Sequence, residues 1–342
     1  MQAPLRTADA RNSRRTGGLL ALGLLLTGFV LFGIVAGARP IPLAVTWEAI
    51  VHFDPANSSH LLVRHLRVPR TLLAIFVGAA LGVAGAIMQA LTRNPLSDPG
   101  ILGVNAGAAL AIAVAISLFG ITGVTAHMGF GLVGAAVAGA AVYCLGQLHR
   151  NGSQVRVVLA GAALSVVLLS LTQIVLVNSD ERVFDQFRHW ATGSLQGRGY
   201  PVLLPVSLLT VAGLALALSL AKALDTAALG SDLTRSLGGN PLRIWGLSAL
   251  AIVMLSGAAT AAAGPIGFVG LTAPHIARLM VGPGHRWLLP YSMMVSAILV
   301  VAADALGRVI APPGEVGVGI MVALMGGPFF IALVRRARIS RI

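Results

Sequence analysis

The sequence predicts an all-α polytopic membrane protein of about ten transmembrane helices, and three observations carry that reading. Of the 342 residues, 56% are hydrophobic and 10% charged, whereas an ordinary soluble domain carries roughly 25% charged residues. Apolar runs near the ~20 residues needed to cross a hydrocarbon core recur along the whole chain, separated by polar, Gly- and Pro-rich punctuation. The 41 glycines suit helices packed closely in lipid, where small residues let backbones approach.

The first span requires a choice. Arg11, Arg14 and Arg15 precede an apolar run over residues 19–35, and Ala36-Gly37-Ala38 resembles a cleavage site. That is the grammar of a secretory signal peptide. The run is nevertheless near spanning length, which favours an uncleaved first helix. The spans then read 18–37, 71–91, 102–120, 128–148, 157–177, 202–220, 244–263, 268–281, 288–306 and 316–334. The run at 268–281 is short and contains Pro274, so it reads as a broken or tilted helix. Nothing marks a second domain. Residues 1–342 form one transmembrane domain with an N-terminal tail (1–17), a long inner connection (222–243) and a C-terminal tail (335–342).

An even number of spans places both termini on one side. Of the 24 Lys and Arg residues, sixteen then fall on the side of the termini and eight on the other. The positive-inside rule makes the termini cytoplasmic. The eight outer arginines, Arg39, Arg64, Arg67, Arg70, Arg182, Arg188, Arg198 and Arg308, are unusually many. The outer segments 39–70 and 178–200 are too long for tight turns and contain structure of their own. Trp47, Trp190 and Tyr200 fit the aromatic belt at the membrane interface.

Composition also excludes functions. A net charge of +13 in a soluble protein suggests nucleic acid, but no basic stripe interleaves with aromatics here. The single Cys144 allows no disulfide framework or cysteine metal site; it reads as a small buried apolar residue. There is no H-E-x-x-H, no G-x-S-x-G and no aspartate cluster, so no catalytic residue is assigned. His275 has no second His or Cys at metal spacing and reads as hydrogen-bonded structure rather than a ligand. Acidic residues lie near span ends rather than in mid-span, which weighs against a proton- or ion-coupled carrier. No G-x-x-x-x-G-K-[ST] loop occurs, so ATP, if used, is hydrolysed by another chain.

Five features carry what remains, the movement of a solute. In Arg93-Asn94-Pro95-Leu96-Ser97-Asp98-Pro99-Gly100, two prolines and a glycine prevent a continuous helix. Asn94 and Asp98 suit helix caps. The segment is a capped turn, and equally the narrowing at the inner mouth of a pathway. The segment 224–243 reads as two short helices. Asp225 caps the first and Gly230 ends it; Ser231 caps the second and Gly238 ends it. Leu229, Leu233 and Leu237 recur at four-residue spacing. One apolar stripe on a short helix pair suits docking into a partner's groove, with packing on the membrane surface as the alternative. The Gly- and Pro-rich run 264–275 is backbone of the kind tolerated where it is buried in protein or lines a cavity. Asp304 and Arg308 stand four apart and pair on one helix face. Gly78-x-x-x-Gly82 offers a small-residue face for packing within or between subunits.

These residues also carry a resemblance. Arg67-Val-Pro-Arg70-Thr-Leu-Leu, Gly85-Ala-Ile-Met-Gln89-Ala-Leu-Thr-Arg93-Asn94-Pro95-Leu96 with Asp98-Pro99-Gly100-Ile-Leu-Gly103, Trp190-Ala-Thr-Gly193-Ser194-Leu195, Gly264-Pro265-Ile266-Gly267-Phe268 with Pro274-His275, and Gly326-Gly-Pro328-Phe329-Phe330 resemble the FecCD-type permeases. These are membrane subunits of ABC importers for iron-siderophores, haem and cobalamin. The match runs in order over residues 19–336.

The resemblance implies ten helices per subunit in the ABC importer permease fold of the cobalamin and iron-chelate type. It implies a second permease, identical or related, two ATPase subunits, and a periplasmic or lipid-anchored binding protein. No cofactor is implied in this chain; ATP and Mg belong to the partner ATPase. It gives Asn94, Leu96 and, by position, Gln154 as cytoplasmic gate residues. It makes Asp225, Leu229, Ser231, Leu233, Leu237 and Gly238 part of the ATPase-coupling helices. It assigns Arg67, Arg70 and Arg308 to an outer face that meets acidic residues of the binding protein. Guanidinium–carboxylate contacts of this kind orient a partner and speed encounter, the alternative being headgroup binding by snorkelling arginines. The segment Ala311-Pro312-Pro313-Gly314-Glu315 departs from the shorter outer loop usual in the family. Siderophore iron is the expected cargo, with haem and cobalamin behind it.

Overall fold

The computed structural model describes residues 3–37, 39–146 and 154–339, and among them there is no strand. The chain opens with the long helix α1 (Ala3–Val35). The first outer segment folds into α2 (Leu43–Val51) and α3 (Ser58–Leu62), then a π-turn (Val63–Arg67) that runs directly into α4 (Val68–Thr92). A short 3-10 turn (Pro99–Leu102) leads to α5 (Val104–Phe119) and α6 (Val124–Leu145). Then come α7 (Gln154–Val177), the amphipathic α8 (Glu181–Ala191) and α9 (Tyr200–Ser219). The short pair α10 (Ala221–Ala228) and α11 (Ser231–Ser236) precedes α12 (Pro241–Ala263). The chain closes with α13 (Val269–Val281), α14 (His285–Ile310) and α15 (Val318–Ile339). Among the described residues seven helices are long and apolar enough to cross a membrane, and three shorter apolar ones lie in α5, α13 and α15. Each of the ten predicted spans is thereby matched by a helix.

Burial separates lipid-facing helices from central ones. In α1, Leu20 and Leu24 are 71% and 77% exposed, as expected of an apolar helix with lipid on most sides. In α4, by contrast, Leu73, Val77, Ala80, Ala84, Ala86, Ile87 and Met88 are fully buried. Close approach makes this possible. A Cβ added to Gly78 would lie 2.6 Å from the Ser296 carbonyl oxygen of α14, and one added to Gly82 would meet the Ser296 side chain. The Gly78-x-x-x-Gly82 face is therefore spent on α14 of the same chain, not on a second subunit.

The run 268–281 is not broken at Pro274, since α13 continues through it; the chain departs from helix just before, in the Gly- and Pro-rich stretch. Gly264 has φ 78° and Phe268, a non-glycine residue, φ 65°, so backbone here leaves the helical path. Its polar groups are satisfied by neighbouring chain: Ser194 N donates to Ala263 O at 2.7 Å, and Gly319 N to Gly193 O at 3.0 Å. His275 packs edge-on against Phe329.

Two environment expectations are corrected. Cys144 is exposed on α6 rather than buried. Trp190 is 4% exposed and packs against Phe187, so it belongs to the core and not to an interface belt. Trp47, at 67% exposed, keeps the surface position expected of it.

Candidate functional site

Polar residues concentrate at the two ends of the bundle. At one end α4 begins and α14 finishes. Arg70, one turn into α4, donates from Nε and NH2 to Asp304 Oδ1 at 3.0 and 2.8 Å, and from NH1 to Glu315 Oε2 at 2.6 Å. Arg308 donates from Nε to the other oxygen, Asp304 Oδ2, at 3.0 Å, also from NH2, and from NH1 to the Gly33 carbonyl at 2.7 Å. The predicted Asp304–Arg308 pair is thus half of a larger cluster in which one carboxylate serves two guanidiniums. Paired, charge-assisted bonds of this kind are what allow ions to be buried. Arg67 has a different task. It donates to the carbonyls of Ile34, Val35 and Arg39, which closes the C-terminus of α1, where helical carbonyls lack partners.

The resemblance assigns Arg67, Arg70 and Arg308 to the outer face; in the structure they are buried, at 5%, 9% and 2% exposed. Their donors point into the protein because the acceptors stand far away in sequence: Asp304 lies 234 residues from Arg70.

A cavity of about 370 Å³ opens beside the cluster, lined by Arg67, Arg70, Arg198, Arg308 and Glu315, with Arg39 also contributing. Arg198 is 8% exposed, and its Nε has no acceptor among the described residues. Burial alone pulls its guanidinium down to about 10. Arg198 was legible only as one of eight outer arginines, and Glu315 not at all as a partner of Arg70. No local pattern marks either.

At the opposite end, α4 finishes with Arg93 in the left-handed region, φ 50°. Arg93 N and Asn94 N reach back to Ala90 O and Gln89 O, a Schellman ending built without glycine. Asn94 Oδ1 accepts from Leu96 N at 3.0 Å and Asp98 Oδ1 from Gly100 N at 2.8 Å. Asn94 therefore shapes the turn, while Asp98 caps the 3-10 helix as expected. Burial pushes the Asp98 carboxyl above its ordinary range, against the pull of the Gly100 hydrogen bond. Leu96 is 48% exposed. The loop 147–153 lies outside the described residues, and Gln154 opens α7 at its edge.

The helix pair α10–α11 stands beside this turn, with the Arg93 guanidinium close to Gly230. Two predicted caps are corrected. Asp225 lies in the middle of α10, and its Oδ1 accepts from His285 N at 2.8 Å and is 2.7 Å from His285 Nδ1. It caps α14 instead of its own helix. Ser231 makes no capping bond; Gly230, φ 108°, occupies that position. Thr234 ties the pair together, its Oγ1 donating to Thr226 O and Gly230 O at 2.9 and 2.6 Å. Gly238, φ 80°, ends α11 as expected, with Gly238 N on Arg235 O and Gly239 N on Thr234 O. Leu229, Leu233 and Leu237 are 57%, 54% and 62% exposed, so more than half of each stays uncovered among the described residues.

Seven spanning helices and three shorter apolar ones among the described residues, with structured polar ends, define a polytopic membrane protein, and its relatives make it the permease subunit of an ABC importer. The chain belongs to the FecCD transport family, whose pattern matches residues 24–336. It is 43% identical over 323 residues to the ferric enterobactin transport system permease protein FepD of Escherichia coli K12, covering 93% of this chain and 94% of that one. It is 39% identical to the probable siderophore transport system permease protein YfiZ of Bacillus subtilis 168, covering 93% and 95%. Among solved structures it superposes on an inward-facing putative metal-chelate type ABC transporter with a TM-score of 0.84. The identity there is 28%, over 94% of this chain and 99% of that one. An ABC importer permease works with an ATPase and a binding protein as partners.

Proposed function

We propose that this chain moves ferric siderophore complexes across the cytoplasmic membrane, driven by two partner ATPases and paired with a second permease, identical or related. The uncovered stripe Leu229, Leu233 and Leu237 carries the energy-coupling part of this reading: an apolar ridge on a helix pair fits a groove in a partner, and no phosphate loop exists in this chain. The substrate class rests on the likeness to permeases named for ferric enterobactin and siderophores.

In this reading the stripe end and both termini are cytoplasmic, in keeping with the excess of Lys and Arg there. Asn94, Leu96 and Gln154 border the inner gate, and Asp225, Ser231 and Gly238 fix the shape of the coupling pair. The arginine-rich end faces the binding protein. Arg67, Arg70 and Arg308 contribute to docking through the positive field they add beneath the surface, which steers an acidic partner. Direct pairing there needs their internal acceptors to be exchanged. ATP-driven closure of the partner subunits shifts the helix pair and alternates the gates.

The test is uptake of radiolabelled ferric siderophore by iron-starved cells lacking this chain, with and without its restoration. Restored uptake supports both transporter and cargo. Restoration of haem or cobalamin uptake instead moves the cargo, and no effect on any of the three overturns the proposal.

A further inference from the structure

The cavity at the arginine-rich end holds more positive than negative charge. Four buried guanidiniums, Arg67, Arg70, Arg198 and Arg308, face two carboxylates, Asp304 and Glu315. Asp304 is shared by Arg70 and Arg308, Glu315 is taken by Arg70, and Arg67 is spent on backbone carbonyls. The excess of two resides at Arg67 and at Arg198, and Arg198, more than nine-tenths buried, has no ion pair and no acceptor for its Nε among the described residues. Burying a charge without a partner is strongly unfavourable, so a structure that retains one has a counter-charge to receive.

The loop builds this position deliberately. Leu195 is fully buried and anchors the segment, Ser194 N is bonded to Ala263 O, and Arg198 N to Leu195 O. Gly197, at φ 70°, then turns the chain so that Arg198 lines the cavity. Arg39 stands exposed at the same cavity and adds charge.

We propose that this cavity is an oxyanion site of the phosphate class, with Arg198 as its principal ligand. A planar guanidinium matches two oxygens of such a group at once, which neither chloride nor water reproduces. Free phosphate at neutral pH also carries a charge of about −1.5 to −2 that offsets the excess of two, while the phosphodiester of a lipid headgroup carries a single charge and offsets half of it. The phosphate comes either from solution or from an anionic lipid headgroup. The half-exposed Leu66 and its neighbour Leu62 at the cavity wall suit the glycerol and upper acyl carbons of a lipid. The site stands independently of docking by a binding protein.

The experiment is thermal unfolding of the full-length chain, purified in nonionic detergent, in sodium phosphate against sodium chloride of equal ionic strength. Phosphate is expected to raise the midpoint saturably. Arg198→Gln should weaken the phosphate dependence at least tenfold, and Arg198→Lys by less. If Arg198→Gln does not fold, Arg198→Lys carries the comparison. A second arm uses nanodiscs of phosphatidylcholine with and without phosphatidylglycerol. Loss of the phosphate effect on adding phosphatidylglycerol, dependent on Arg198, assigns the site to the headgroup; its persistence assigns it to free phosphate. Equal midpoints in phosphate and chloride in both detergent and phosphatidylcholine, or a phosphate effect unchanged in both Arg198 variants, overturn the proposal. So does a cavity that responds only to a bound partner's carboxylate.

Discussion

Asp225 holds the N-terminus of a helix that begins sixty residues later: its Oδ1 takes the backbone N–H of His285 at 2.8 Å and lies 2.7 Å from the ring Nδ1. The contact joins α10, on the segment read as the ATPase contact, to α14, whose far end carries Asp304 and Arg308. N-cap side chains are worth about 1 kcal/mol. Asp225→Ala should therefore lower unfolding stability by about that amount, with Asp225→Asn losing less because an amide oxygen still accepts. Thermal unfolding of the purified chain decides; no change on Asp225→Ala would mean that water replaces the cap.

Leu233 tests the opposite combination, function without stability. It is 54% exposed, and surface substitutions of this kind stay within about 0.5 kcal/mol. Leu233→Asp should leave unfolding unchanged, abolish co-purification of the ATPase and uncouple hydrolysis from uptake. Retained uptake would count against the coupling role of α11.

Asp304 is the reverse case. It is 1% exposed and serves two guanidiniums. Asp304→Asn leaves two buried cations short of a charge, and breaking a buried pair from one side costs about 3–5 kcal/mol. A loss of folded protein is expected, read by detergent-resistant size-exclusion recovery. Full recovery would show that Glu315 alone can hold the cluster.

Gly82 has no room for a side chain, since a Cβ would meet Ser296. Overpacking a tight contact costs about 1–3 kcal/mol. Gly82→Leu should reach or exceed the upper end, whereas Gly28→Leu, where nothing lies within 4 Å, should be silent. Equal stability of the two variants would refute the close α4–α14 approach.

Asp98 gives a pH-dependent outcome. Burial raises its carboxyl from the ordinary value of 3.8, so the folded chain holds that proton more tightly than the unfolded one. The sign follows from linkage: the penalty for the charged form is absent below about 3.8 and complete above the raised value. Asp98→Asn, which keeps an acceptor for Gly100, should be as stable as the parent or more so at pH 7. That advantage should vanish on acidification through the carboxylate range; an advantage independent of pH would exclude the titration of Asp98 as its cause.

How far the sequence reaches is visible in single residues. Gly238 was readable as a helix end because a Schellman motif is local, built from residues 234–239. Asp98 was readable for the same reason. Asp225 was misread because an acidic residue before a short helix satisfies the rule for a local cap, while its actual acceptor role serves a distant helix. The surroundings of the outer arginines were equally out of reach. Arg67, Arg70 and Arg308 were identifiable as positive charges on one side of the chain, but their burial depends on Asp304, Glu315 and the carbonyls of α1.

The sequence by itself determined the ten helices, their order, the Gly- and Pro-rich stretch before α13 and the apolar stripe on the pair α10–α11. Helix hydrogen bonds close within a few residues and the bilayer demands long apolar runs, so both signals are local. Only the tertiary structure decided which helices face lipid, that Gly78 and Gly82 pack on α14, that Trp190 is core, and that Arg198 is buried with no acceptor for its Nε among the described residues. Those facts depend on contacts between segments far apart in the chain, where a charge finds its counter-charge or fails to, and no local pattern records them.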